Sequence, residues 1–167
     1  MVSDASRVAF DEFVRVRTPA LARTAYLLTG DAHLAEDLVQ TALFRAARAW
    51  HRIEGDPEPY VRRILYTQNV SWWRARKVTE TSIGSYDAPA PTAADSDLRL
   101  TLEEALARLT SRQRTVLVLR YFEDLTEVQT GAVLGIRPGT VKSIARQALA
   151  RLRTLSPELT QLVGEAS

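Results

Sequence analysis

The stretch that most narrows what this chain can fold into is residues 126–153. Thr126-Glu127-Val128-Gln129 has the form of a capping box, in which the threonine and glutamine side chains satisfy orphan amides at a helix start. The short helix it opens ends at Leu134-Gly135, glycine being the residue that stops a helix in the left-handed conformation. Ile136 follows as a plug for the core, and Pro138-Gly139-Thr140 starts a longer helix. Val141, Ile144, Ala145, Ala148, Leu149 and Leu152 then share one face of that helix. A short helix, a glycine turn and a longer helix make a helix-turn-helix.

Charge says what the last helix faces. No acidic residue occurs over 128–157, yet Arg137, Lys142, Arg146, Arg151 and Arg153 all do. Lys142, Ser143, Arg146 and Gln147 fall opposite the apolar stripe. Lysine and arginine neutralise phosphate or take guanine, and glutamine can bond adenine bidentately. The formal net charge is only +2, so the basic character is local. This helix is expected to bind duplex DNA.

The remainder is helical as well. Leu98, Leu102, Ala105, Leu106 and Leu109 form one apolar face, and Thr110-Ser111 caps a helix carrying Val116, Leu117 and Leu119 to about Phe122. In the first half, Thr18-Pro19 fits either an N-cap followed by proline at the first helical position or a kink. Gly30 stops that segment, and Asp31 caps a second with Leu34, Leu38, Ala42, Ala46 and Ala49 on one stripe. Asp56-Pro57 opens a third, running to about Lys77, with Tyr60, Val61, Ile64 and Leu65 as inward candidates. No β-type alternation competes with these patterns. Residues 78–97 are rich in Thr, Ser, Ala, Pro and Asp and read as a flexible linker. The fold expected is all-α: two small helical domains, 1–77 and 98–155, joined by a linker at 78–97 and followed by a tail at 156–167. The second domain has four helices.

The third segment carries a second basic surface. Arg62, Arg63, Arg74, Arg76 and Lys77 occur with no acid between Val61 and Val78, and Trp72-Trp73 lies among them. Rings stack on unstacked bases while cations hold the backbone. Helical spacing equally allows one tryptophan to face the core and the other to face out.

Catalysis has no convergent residue set here. His33 and His51 stand far apart with no metal spacing around either, and Glu36-Asp37, Glu103-Glu104 and Glu123-Asp124 splay as neighbours. No enzyme, metal or cofactor is expected. The chain has no cysteine, no signal-peptide core over 1–10 and no apolar run long enough to span a bilayer, so a cytoplasmic protein is expected. A polymerase-independent helix-turn-helix regulator accounts for the C-terminal half, but leaves Trp72-Trp73 and their basic neighbours without a role. A helical adaptor using residues 98–109 does not need the acid-free helix.

A set of words in order carries a resemblance. They are Tyr26-Leu-Leu-Thr-Gly-Asp31, Ala35-Glu-Asp-Leu-Val-Gln40, Tyr60-Val-Arg-Arg63 and Ser71-Trp-Trp-Arg74. In the second half they are Arg112-Gln-Arg114, Leu119-Arg-Tyr-Phe122, Leu134-Gly135, Gly139-Thr-Val-Lys-Ser143 and Ala148-Leu-Ala-Arg-Leu-Arg153. With these the chain resembles the extracytoplasmic-function (group IV) bacterial sigma factors, in wording most of all their SigE-type actinobacterial branch. The resemblance implies a promoter-specificity subunit, with core RNA polymerase and promoter DNA as partners. Family members are often held inactive by an anti-sigma factor. It implies that Asp37, Leu38, Val39 and Gln40 dock on the clamp helices of the polymerase. It implies further that the loop over 51–59 and the helix with Arg62, Arg63, Thr67, Asn69, Trp72, Trp73, Arg74, Arg76 and Lys77 melt and hold the −10 element. The linker would thread toward the active-site channel. Arg137, Thr140, Lys142, Ser143, Arg146 and Gln147 would read the −35 element. Two departures stand out: Thr67 replaces the common asparagine, and Thr130-Gly131 replaces an apolar residue and alanine. Gly131 inside a helix costs up to about 1 kcal/mol, so a looser turn is expected there.

Overall fold

The computed structural model describes residues 3–83 and 101–158, and among these there is no strand. The all-α expectation is met. Contacts divide the chain into two compact units, Met1–Asn69 and Val70–Ser167, the division falling inside one helix.

In the first unit, α1 spans Asp4–Thr29. The Ser3 hydroxyl accepts the Ser6 N–H at 3.2 Å to cap it. Gly30, at φ 67°, stops it by donating its N–H to the Tyr26 carbonyl. Pro19 lies inside α1, which settles the choice left open at Thr18-Pro19 against an N-cap. Proline withholds one backbone donor, and the Thr18 hydroxyl donates to the Val14 carbonyl in the adjoining turn. Burial continues on the same stripe through Phe13, Leu21, Ala25 and Leu28. α2, Ala32–Ala49, starts where the Asp31 carboxylate accepts the Leu34 N–H at 2.9 Å. Its buried Ala35, Leu38, Ala42, Ala46 and Ala49 pack on α1, small side chains allowing close approach.

A single 3-10 turn, Trp50–Arg52, leaves α2. The Asp56 carboxylate then accepts the Glu58 N–H at 3.0 Å to open α3, Glu58–Ile83. α3 therefore runs six residues beyond the expected end at Lys77, into the stretch read as linker. The rest of that linker, Leu98 and the tail past Glu158 lie outside the described residues.

In the second unit, the described residues from 101 on form four α-helices: α4 (Leu102–Ala107), α5 (Ser111–Leu117), α6 (Glu127–Leu134) and α7 (Pro138–Leu155). Three of them open with a capping box, formed by Thr101 with Glu104, Thr110 with Gln113, and Thr126 with Gln129. α5 widens into a π turn, Val118–Phe122, before the chain turns at Asp124. Leu106, Val116, Leu117, Leu119, Leu134, Val141 and Leu152 form the core. Arg114 is buried with them, and burial pushes its guanidinium down to about 10, still a cation at any working pH. It donates toward the Ala107 and Leu109 carbonyls, where the C-terminal end of α4 leaves acceptors and negative dipole unmet.

Candidate nucleic-acid interface

The turn between α6 and α7 fixes the direction of α7. Gly135 closes α6 at φ 68° and donates its N–H to the Gly131 carbonyl, which also accepts the Ile136 N–H at 3.0 Å. A Cβ on Gly131 would sit 2.6 Å from the Ile136 carbonyl oxygen. Glycine is there because the backbone of the turn passes directly over it. α6 runs unbroken through Gly131, and the missing side chain is what leaves room for the tight turn.

α7 then presents its polar face. Arg137, at the N-cap, and Thr140, Lys142, Ser143, Arg146 and Gln147 are all exposed, while Val141, Ile144, Ala145, Ala148 and Leu152 are buried on the other side. No acidic residue lies on this helix to neutralise the cations, so the face carries a concentrated positive potential. All six expected residues are brought together on one accessible surface.

The loop and α3 sort the expected residues differently. Arg63, Arg74, Arg76 and Lys77 are exposed, and Trp72 and Trp73 are half-buried. The Trp73 indole Nε1 is buried without an acceptor among the described residues, and the Arg74 guanidinium stands 5.5 Å from the Trp73 ring centroid. Asn69 is only 2 % exposed, so its side chain serves the interior and not a DNA face. The Thr67 hydroxyl is turned back on its own helix, donating to the Arg63 carbonyl at 2.9 Å. Arg62 points inward to Glu58 and Thr24. Tyr60, placed inward by its spacing, is exposed. With Ala49, Arg52, Ile53, Glu54, Asp56 and Pro59 it lines a cleft of about 590 Å³ beside the loop. Arg52 and Tyr60 carry the cation and ring of that cleft, and nothing in their spacing separates them from ordinary loop and core residues.

On α2 the four expected residues divide in two. Leu38 and Val39 are buried and hold the helix to the core; Asp37 and Gln40 are exposed. The same outward face continues to Phe44, 65 % exposed, with the Arg48 guanidinium 6.0 Å from its ring centroid. Phe44 falls off the Leu34–Ala49 stripe, and that was the available sign that it faces out.

Comparison with known proteins bears on both units. Residues 13–79 match the family model of Sigma-70 region 2, and residues 105–154 that of Sigma-70 region 4. The RNA polymerase sigma-E factor of Streptomyces coelicolor is 40% identical over 148 residues, spanning 86% of this chain and 84% of that one. The ECF RNA polymerase sigma factor SigL of Mycobacterium tuberculosis is 33% identical over 165 residues, spanning 92% and 89%. Among solved structures, the sigma factor RpoE in complex with the anti-sigma factor NepR from Bartonella quintana is similar at a TM-score of 0.63. It is 26% identical, and the match covers 88% of this chain and 96% of that one.

Proposed function

The chain belongs to the extracytoplasmic-function sigma factors of bacterial RNA polymerase, and from that premise we propose how its surfaces divide the work of initiation. It is a promoter-specificity subunit and not an enzyme. The outward face of α2, with Asp37, Gln40 and Phe44, docks on core polymerase. The loop between α2 and α3, with Arg52, Tyr60 and the exposed cations of α3, takes the opened −10 strand. A flipped base enters the 590 Å³ cleft, where a ring and a guanidinium offset part of the few kcal/mol that unstacking costs. The basic face of α7 reads the −35 duplex in the major groove. Core polymerase and promoter DNA are the partners, with an anti-sigma factor as the regulator that competes for the docking face. The protein acts in the cytoplasm, and no helix of the described residues is long and apolar enough to cross a membrane.

The observation that carries this reading is the presence of both region matches, in family order, in one chain. A regulator binding duplex alone has no use for the first of them. The test is run-off transcription from a genomic fragment library with core polymerase, this protein and no other sigma factor. Discrete start sites that vanish on Asp37→Ala are expected. Absence of transcription and of co-purification with core, alongside a shifted palindromic duplex, would install the polymerase-independent regulator instead.

A further inference from the structure

The loop between α2 and α3 is held to α1 at both ends and stands clear of it in the middle. At its start, the Trp50 ring meets Phe10 of α1 edge-on at 5.1 Å and Phe13 at 5.4 Å between centroids. At its end, the Glu58 carboxylate lies 3.3 Å from Arg17 Nε of α1 and accepts from Arg62 Nε at 3.0 Å. Arg62 Nη1 reaches across to donate to the buried Thr24 hydroxyl of α1 at 2.9 Å. Between these attachments a cleft of about 560 Å³ opens under the loop, lined by Phe13, Val16, Trp50, Ile53 and Pro57 among others. Side-chain packing beneath the loop therefore does little to set its height. Its two ends do.

The polar attachment is well placed for that task. The Glu58 and Arg62 side chains are only 18% and 22% exposed, so the pair is less screened than a surface ion pair. Glu58 also sits in the first turn of α3, where a carboxylate is favoured by the helix dipole. Arg62 has turned its guanidinium away from solvent and into this network, which is not the posture of a phosphate contact.

We infer that Glu58, Arg62 and Thr24 form a clamp that positions the 50–57 loop for the −10 strand, none of them touching DNA. The inference rests on the −10 reading above. It makes a prediction opposite in sign to simple electrostatics. Removing the Glu58 charge near a polyanion should tighten DNA binding, whereas loss of the clamp lets the loop drift and should loosen it.

The experiment uses holoenzyme assembled from core polymerase and the full chain. Its probe is a labelled single-stranded oligonucleotide carrying the non-template −10 sequence of a start site mapped by run-off. Glu58→Gln should weaken probe binding about tenfold, the effect of losing one charge-assisted hydrogen bond, with affinity for core unchanged. Thr24→Val changes no charge and cannot reach DNA from its buried site; it should weaken the probe several-fold in the same way. Arg62→Gln combined with Glu58→Gln should cost little more than either alone, because both remove one unit. Probe binding by Glu58→Gln equal to or tighter than that of the unsubstituted chain, with core affinity intact, would overturn the clamp. If Glu58→Gln fails to fold, unchanged probe binding by Thr24→Val would do so. Failure of the unsubstituted holoenzyme to prefer the −10 strand over a scrambled one would overturn the −10 reading itself, and the clamp with it.

Discussion

Two adjacent residues of α6 are expected to respond to substitution in ways their residue types alone do not suggest. Thr130 is completely buried, and its hydroxyl has no partner among the described residues. A buried, unsatisfied hydroxyl costs about 1–3 kcal/mol, and valine has the same shape without it. Thr130→Val is therefore expected to stabilise the protein by about 1 kcal/mol, read as a higher denaturant midpoint at unchanged slope. A lower midpoint would show that the hydroxyl does have a partner. Gly131 runs the other way. Helix propensity alone credits Gly131→Ala with up to about 1 kcal/mol of stabilisation, but the new Cβ would stand 2.6 Å from a backbone oxygen that cannot move without opening the turn. A net loss of about 1–3 kcal/mol is expected, as for overpacking elsewhere, together with weaker −35 binding as α7 is re-aimed. A stabilised Gly131→Ala would mean the turn yields freely. The sequence shows the glycine but not its reason. That reason is a carbonyl five residues later, brought back by the turn.

At the scale of the helix, α2 shows why sequence words and surfaces differ. Four consecutive residues on a helix point all round it, so Asp37, Leu38, Val39 and Gln40 cannot all face a partner. The apolar stripe decides which two turn in, and the outward face runs instead through Asp37, Gln40 and Phe44. Helix starts and stops were legible at Asp31, Thr110, Thr126, Gly30 and Gly135, which act through local hydrogen bonds and φ angles that the residue type dictates, but not at Thr18-Pro19 or at the end of α3. α3 was less so: the inward turn of Arg62 depends on Thr24 and Glu58, and the outward turn of Tyr60 on the loop before it, none of which a helical period encodes. An exposed aromatic on a docking face is the kind of residue that dominates interface energetics. Phe44→Ala is therefore expected to weaken capture of core polymerase about tenfold or more while leaving the thermal midpoint within a degree or two. The check is competition for core against a labelled reference sigma factor. Unchanged capture would confine docking to Asp37 and Gln40.

The chain as a whole has a formal net charge of +2, yet residues 128–157 alone hold five cations and no acid. The rest of the molecule is consequently net acidic, its α3 cations apart, so duplex binding is expected to concentrate on α7 and its flanks. Each phosphate neutralised contributes about −0.9 to the slope of log affinity against log salt. With five cations available, the full chain on a −35 duplex is expected to give a slope no steeper than about −4.5. Lys142→Ala and Arg146→Ala then separate two roles. Loss of a phosphate contact flattens the slope by about 0.9 and weakens all sequences alike, while loss of a base contact leaves the slope nearly unchanged and costs about 1–3 kcal/mol of discrimination at one base pair. Arg146, one turn into the face, is expected to behave as the base reader, and Lys142, nearer the helix start, as the phosphate contact. Salt titrations on the matched duplex and on single-base variants decide it, with affinity for core as the control that the first unit is untouched. A slope unmoved by either substitution, with discrimination intact, would mean that α7 does not read the −35 element.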